Sequence, residues 1–253
     1  VDSSAVLGED VEIGPFSVIE AGVVIGDRTR VQGHVTIISG TTLGTDNYVG
    51  TGSVLGGDPQ DSKYDGEPTF LKIGNGNIFR EYVTIHRATG EGTSTVVGDK
   101  NMIMAYCHVG HNCVLGNGVS IANNTGVSGH VTIEDLANVG GMVGIHQFAR
   151  IGRAAMVGGM TRVVRDAPPF MISAGEDQEV HDINAVGLRR IGVSPQERLA
   201  LHRACKLLYR SQLGLSNAMQ TVRNEVPMTQ HVEYLLEFES RRFKGKNGRG
   251  DQP

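Results

Sequence analysis

The chain has 253 residues, a mass of 27.0 kDa and a formal net charge of −4, enough for one large domain or a large domain with a small one. Glycine supplies 35 residues, aromatics only 5% and tryptophan none, a composition that argues against an ordinary helical enzyme, and the balance of 39% apolar to 20% charged residues argues against disorder. No apolar run reaches a membrane span of ~18 residues, no basic-then-apolar start reads as a secretory signal, and Cys107, Cys113 and Cys205 lack disulfide-framework spacing, so a reducing cytosol is expected.

From the first residue a period of six dominates. Every sixth position from Val1 through Leu7, Ile13, Ile19 and Ile25 to Val163 is large and apolar in 25 of 28 cases. The exceptions are Asp61, Glu67 and Glu91. Four residues after these aliphatics lies a second column of small side chains, including Ser17, Thr29, Ser53, Thr125, Ala137 and Ala149. Cys107 and Cys113 fall in that column and are expected to fill core space. Glycine commonly follows the aliphatic, as at Gly8, Gly14, Gly26, Gly98 and Gly116, and is expected to relieve strain at corners.

A period of six fits neither an α-helix nor a simple alternating strand. It fits a prism of short strands, three hexapeptides to a coil of 18 residues, with stacked coils paired in parallel ~4.8 Å apart. The expected fold is therefore mainly β, a left-handed parallel β-helix over residues 1–168, followed by a C-terminal α-helical domain. Its hand comes from the hexapeptide-repeat family, since the general crossover rule predicts the opposite. Polar, turn-rich segments at 56–72 and 86–96 read as loops ejected from the prism, where function concentrates.

The repeat stops at Asp166-Ala167-Pro168-Pro169. Residues 169–193 read as a linker and 194–253 as helical. Ser194-Pro195-Gln196-Glu197 is a capping box with proline at the first helical position. Further helices fit 215–225 and 228–243, and 245–253 looks frayed. Residues 189–249 hold 12 Lys and Arg against 5 Asp and Glu, a balance of +7. That excess reads either as a solvated surface or as a docking face for an acidic partner. Arg150, Arg153, Arg162 and Arg165 in the last coils are read with it.

Outward positions of a prism recur every 18 residues. His111, Gly129 and Gln147 share one such column; His130 and His146 flank it, and His108 lies three residues before His111. Four histidines within about three coils point to a site, because a neutral imidazole takes up a proton near pH 7. A metal between subunits, as in the gamma-class carbonic anhydrases, is the weaker alternative. A non-catalytic prism serving as an assembly scaffold is the other. Gly74-Asn75-Gly76-Asn77 reads as a corner, not a dinucleotide loop.

In order along the chain stand Gln60-Asp61-Ser62-Lys63-Tyr64, Val83-Thr84-Ile85-His86-Arg87, His108-Val109-Gly110-His111, Gly129-His130-Val131, His146-Gln147-Phe148 and Asp166-Ala167-Pro168-Pro169. With Gly187-Leu188-Arg189-Arg190 in the tail, these motifs resemble the UDP-N-acetylglucosamine O-acyltransferases of lipid A biosynthesis over nearly the whole chain. The resemblance implies a cytoplasmic homotrimer. It implies transfer of a 3-hydroxyacyl group from acyl carrier protein to the 3-position of UDP-N-acetylglucosamine, without metal or cofactor, nucleic acid or membrane span. It implies His111 as general base and the Gly129 N–H as oxyanion donor. Asp61, Lys63, His108, His130, His146 and Gln147 would shape the sugar and acyl pockets, Asn184 and Arg190 would meet the nucleotide, and Gly159 would set acyl length.

Three departures stand out from that family pattern: Asn112 in place of the usual aspartate after the base, Ala185-Val186 after Asn184, and Ile191 in place of a second basic residue. They leave the 3-amino UDP-sugar analogue as an alternative acceptor. The related N-acyltransferase of the same pathway usually adds an N-terminal domain, whereas residues 1–168 here read as prism throughout.

Overall fold

The computed structural model describes residues 1–253. The chain winds into a left-handed prism with three parallel faces. The first sheet runs from Val6–Leu7 to Arg150–Ile151, and the third from Val18–Ile19 to Arg162–Val163. The second starts at Glu12–Ile13 and continues past Met156–Val157 into Met171–Ala174 and the antiparallel Glu179–Ile183. Register advances by one coil, so that His108 pairs with Gly126, Gly126 with Gly144 and Gly144 with Arg162. Each coil donates its strand N–H groups to the next, for example His108 N to Thr125 O at 3.0 Å and Gly110 N to Val127 O at 2.8 Å.

The aliphatic column is the core: Ile19, Ile25, Leu43, Leu55, Phe79, Ile103, Ile121, Ile133 and Val157 are buried. The small column lies beside it, with Cys107 and Cys113 buried and Cys113 pushed up to about 12 by burial. Where that column carries asparagine it forms an internal ladder. Asn47 Oδ1 accepts from Asn77 N–H at 2.9 Å, Asn77 Oδ1 from Asn101 N–H at 2.9 Å, and Asn101 Oδ1 from Val119 N–H at 2.7 Å. The ladder supplies acceptors to buried backbone N–H groups across the coils that carry the two loops, and it ends at Asn101, whose Nδ2 has no partner.

The glycines after the aliphatics work differently from the expectation. The left-handed corner positions are taken largely by other residues, among them Asp10, Phe16, Arg28, Tyr106 and Asn112. Gly14, Gly26 and Gly116 are needed because the next coil's backbone passes so near. An added Cβ would meet it at 2.6 Å, 2.7 Å and 2.8 Å respectively.

The segment expected to be a linker is structured. It carries the two added strands of the second sheet and helix α1 (Ala185–Arg190), and its Phe170, Met171 and Leu188 are buried. Then follow α2 (Pro195–Tyr209), α3 (Leu215–Glu225) and α4 (Gln230–Lys244). Ser194 and Glu197 make the capping box of α2. A second core of Leu201, Ala204, Leu208, Val222, Val232 and Leu235 joins these helices to Phe170 and Met171.

The last residues are tied down where fraying was expected. Buried Asp166 accepts from Arg150 N and Gly250 N, each at 2.8 Å. Asp251 pairs with Arg150 at 3.0 Å and with Arg241, and Arg249 is buried with its guanidinium on Val164 O. Arg150 also meets Glu134 at 2.6 Å, and Arg153 lies 3.4 Å from Asp135. Of these two arginines, both read from sequence as part of a docking surface, Arg150 is engaged within the chain and Arg153 remains exposed.

Candidate active site

A groove of 620 Å³ runs along the third sheet. Its floor follows from one strand position: Thr84, His108, Gly126, Gly144 and Arg162 stack in register on the outer face. Gly126 and Gly144 carry no side chain there, and an added Cβ on either would meet nothing within 4 Å. The two glycines thus leave a trough between His108 and Arg162. Glycine is unfavourable inside a strand and marks sites of close approach. His86, His111, Gly129, His146, Gln147 and Gln60 complete the lining.

His111 stands at the corner leaving the third sheet. Its Nδ1 lies 2.8 Å from Asn112 Oδ1, and its ring meets His130 edge to face at 5.1 Å. His130 in turn stacks on Phe148 at 4.7 Å. On its other side the imidazole presents Nε2 to Gly129: a Cβ on Gly129 would fall 2.5 Å from that atom. Only glycine fits beneath the ring. The Gly129 N–H donates to no group of the chain, and a Cβ on Gly110 would lie 2.9 Å from its nitrogen, so glycine at 110 keeps this donor open.

Burial disfavours the charged form of three neighbouring imidazoles. Burial, then the His108 and His111 charges, bring His86 down to about 4. Burial and then His111 lower His108, whose Nδ1 is 2.8 Å from the Thr84 hydroxyl. Burial and then His111 lower His130. His146 donates from Nδ1 to Gln147 O at 2.9 Å, which leaves its Nε2 as the acceptor when neutral. Asp61 comes from the first loop. The Lys63 backbone N–H, at 3.0 Å from Oδ1, holds its carboxyl below the usual range, with help from the His111 charge and the Thr89 hydroxyl.

The structure thus brings together His108, His111, Gly129, His130, His146, Gln147 and Asp61, with Lys63 beside Asp61. It does not bring Asn184 or Arg190 to the groove of the same chain. Asn184 is buried and occupied: Oδ1 caps α1 through Gly187 N at 3.0 Å, and Nδ2 donates to Ala154 O at 3.0 Å. Gly159 lies at the opposite corner of the third sheet, over Gly141. Within one chain no three His, Cys, Asp or Glu side chains converge as metal ligands.

His86, Gln60, Arg162 and the glycine pair were not among the expected groove residues. The glycines had a signal. Of all the residues that directly precede the inward aliphatic in a strand, only 126 and 144 are glycine.

The family description "Bacterial transferase hexapeptide (six repeats)" matches residues 4–39 and 94–129, and "Udp N-acetylglucosamine O-acyltransferase; Domain 2" matches 166–249. The acyl-[acyl-carrier-protein]–UDP-N-acetylglucosamine O-acyltransferase of Thermodesulfovibrio yellowstonii is 44% identical over 239 residues, 94% of this chain and 93% of that protein. The enzyme of the same name from Synechocystis is 44% identical over 81% of this chain and 75% of its own. A crystal structure of a UDP-N-acetylglucosamine acyltransferase from Bacteroides fragilis superposes with a TM-score of 0.92 at 38% identity, over 95% of this chain and 94% of that one. The chain belongs to the acyl-[acyl-carrier-protein]–UDP-N-acetylglucosamine O-acyltransferase family.

Proposed function

We propose that this chain transfers a 3-hydroxyacyl group from acyl carrier protein to the 3-position of UDP-N-acetylglucosamine, the first step of lipid A biosynthesis, with His111 as general base. The observation that carries the base assignment is the free Nε2 of His111 set against the open Gly129 N–H. Nε2 takes the proton of the sugar 3-hydroxyl as its oxygen attacks the thioester carbonyl. The Gly129 N–H donates to the oxygen that becomes negative. The tetrahedral adduct then expels the thiolate, which takes the proton back from the imidazolium. Asp61 and Lys63 on the first loop, with His130, His108, His146 and Gln147, line the path of the sugar and acyl groups.

The working unit is a homotrimer in the cytoplasm. One corner column supports this reading: Phe16, Tyr82, Tyr106, Met142 and Met160 are exposed at the entry to the third sheet. A second copy would cover them and wall the groove. In that assembly Arg190 meets the nucleotide while Asn184, occupied as the cap of α1, supports the helix that carries it, and Gly159 meets the acyl tail as its length stop. Acyl carrier protein, being acidic, docks on the basic helical end and on Arg162 and Arg165. No helix is long and apolar enough to cross a membrane.

Asn112 favours a second acceptor reading. A neutral partner leaves His111 a weaker base than a carboxylate would, and the 3-amino analogue of the sugar needs less base. A transfer assay with acyl carrier protein thioesters of several lengths against both UDP-sugars tests the proposal. Transfer to UDP-N-acetylglucosamine that disappears in His111→Ala supports it. Transfer to the amino sugar alone replaces it with the second reading, and transfer to neither refutes both.

A further inference from the structure

The residue after the base is Asn112, and its amide is not free to turn. Thr89, in the second ejected loop, donates its backbone N–H to Asn112 Oδ1 at 2.9 Å and accepts from Asn112 Nδ2 at 3.0 Å. A flipped amide would set its NH2 against the Thr89 N–H and its oxygen against the Thr89 carbonyl, so the backbone of one residue fixes which end faces the ring. The end that faces His111 Nδ1 is Oδ1, at 2.8 Å. An amide oxygen only accepts. Nδ1 therefore carries the hydrogen, and Nε2, over Gly129, keeps its lone pair.

The loop that holds the amide is itself held. Gly90 N donates to Glu67 Oε1 at 2.7 Å, and Gly92 N to Pro68 O at 2.8 Å. Arg87 reaches Asp58 at 2.5 Å and the Tyr64 hydroxyl at 2.9 Å. The backbone of Asn112 is left-handed, with φ 57°, a conformation asparagine tolerates better than most residues.

We propose that Asn112 is the positioning residue of this site: locked by Thr89, its amide holds His111 in the Nδ1–H form with Nε2 aimed at the acceptor hydroxyl. This rests on His111 being the base, and it deepens that reading. The two ejected loops then share a second task beyond carrying Asp61 and Lys63, because the first braces the second and the second orients the base. Tautomer control is achieved without a carboxylate, so the base keeps its direction without added basicity. The groups whose charge reaches His111 are Asp61 from the first loop and the rings of His86, His108 and His130.

The test pairs a spectroscopic with a kinetic readout in the full-length protein. Ring nitrogen signals are recorded by NMR with 15N-labelled histidine, and kcat and KM are measured in Asn112→Gly, Asn112→Asp and His111→Ala. Glycine removes the amide while accepting the left-handed backbone. The expected result is a proton on Nδ1 of His111 in the native chain and on Nε2 in Asn112→Gly, with kcat down ~10–100-fold and both KM values unchanged. Asn112→Asp, which still accepts from Nδ1, should keep that form and move the acid limb of kcat/KM to higher pH, because a carboxylate favours the imidazolium. Retention of the Nδ1–H form with full kcat in Asn112→Gly overturns the proposal, as does an effect on KM alone. His111→Ala separates the two readings. If it is inactive while Asn112→Gly is unaltered, only the positioning role falls; if it is active, the base itself falls.

Discussion

The third sheet of the prism and the helical end place their polar side chains to opposite purposes. On the third sheet the coils hold one another through backbone hydrogen bonds and an inward aliphatic column, so His108, His111, His146, Arg162 and Gln147 stand outside the structural work. At the helical end the polar groups are the structure. Asp166 clamps the last turn of chain, Arg150 bridges Glu134 and Asp251, and buried Glu239 takes the Tyr209 hydroxyl at 2.7 Å and Arg242 at 2.7 Å. Reactive groups gather where the backbone carries the fold, because they can change there without loss of stability.

The sharpest way to break this contrast is at His111. His111→Ala is expected to lower turnover ~10²–10⁴-fold with an unchanged melting temperature, since the side chain fills no core space. A matching fall in melting temperature would make His111 structural and erase the distinction.

Filling the trough comes next. Gly126→Val and Gly144→Val place side chains where a Cβ meets nothing within 4 Å. Both should fold normally, because valine suits a strand better than glycine, and both should lose most activity through raised KM for the acyl donor. Native kinetics in both variants would move the substrate path off this floor.

At the helical end the sign reverses. Asp166→Ala leaves the N–H groups of Arg150 and Gly250 without their acceptor. A loss of about 1–3 kcal/mol in stability is expected, read by denaturant unfolding, with kcat retained in the folded fraction. A kcat loss at full stability would place Asp166 in the chemistry.

The pH dependence of stability tests the groove's buried imidazoles. His86 falls from the ordinary 6.5 to about 4 in the folded chain, so between those values the unfolded chain binds the extra proton. Stability should be full above pH 6.5 and decline as pH falls toward about 4. His86→Gln should flatten that decline, and an unchanged slope would show His86 solvated.

The smallest effect is expected from surface charge. Arg203 is exposed and free of internal pairing, whereas Arg241 meets Asp251 and Arg210 meets His181 O. Arg203→Glu should raise the KM for the carrier-bound donor more than that for the UDP-sugar, and more at low salt than at high salt. Equal effects on both substrates would make the basic end a solvated face.

The sequence by itself determined the prism, its faces and its core, because a period of six is a local property repeated along the chain. The phase even survives the two loops: Leu43 pairs with Ile73 and Ile73 with Val97, separations that remain multiples of six. The histidine cluster was legible for the same reason, since positions 18 apart must stack and His130 and His146 flank the column of His111. The glycine floor at 126 and 144 was not among the expected groove residues, although it breaks the strand pattern twice on neighbouring coils.

Only the tertiary structure decided what lies outside the period. The segment 169–193 folds because Phe170, Met171 and Leu188 pack into the core of the helices that follow, a contact that no local signal announces. Arg150 is drawn inward by Glu134 and Asp251, the farther of them about a hundred residues along the chain, whereas Arg153 stays exposed beside Asp135. Asn112 reads in the sequence as a missing carboxylate. Its amide is fixed by Thr89, 23 residues earlier, and that direction of a hydrogen bond exists only once the loop has folded against the corner. Periodicity sets where side chains point, and the partners that non-local packing brings to them settle what they do.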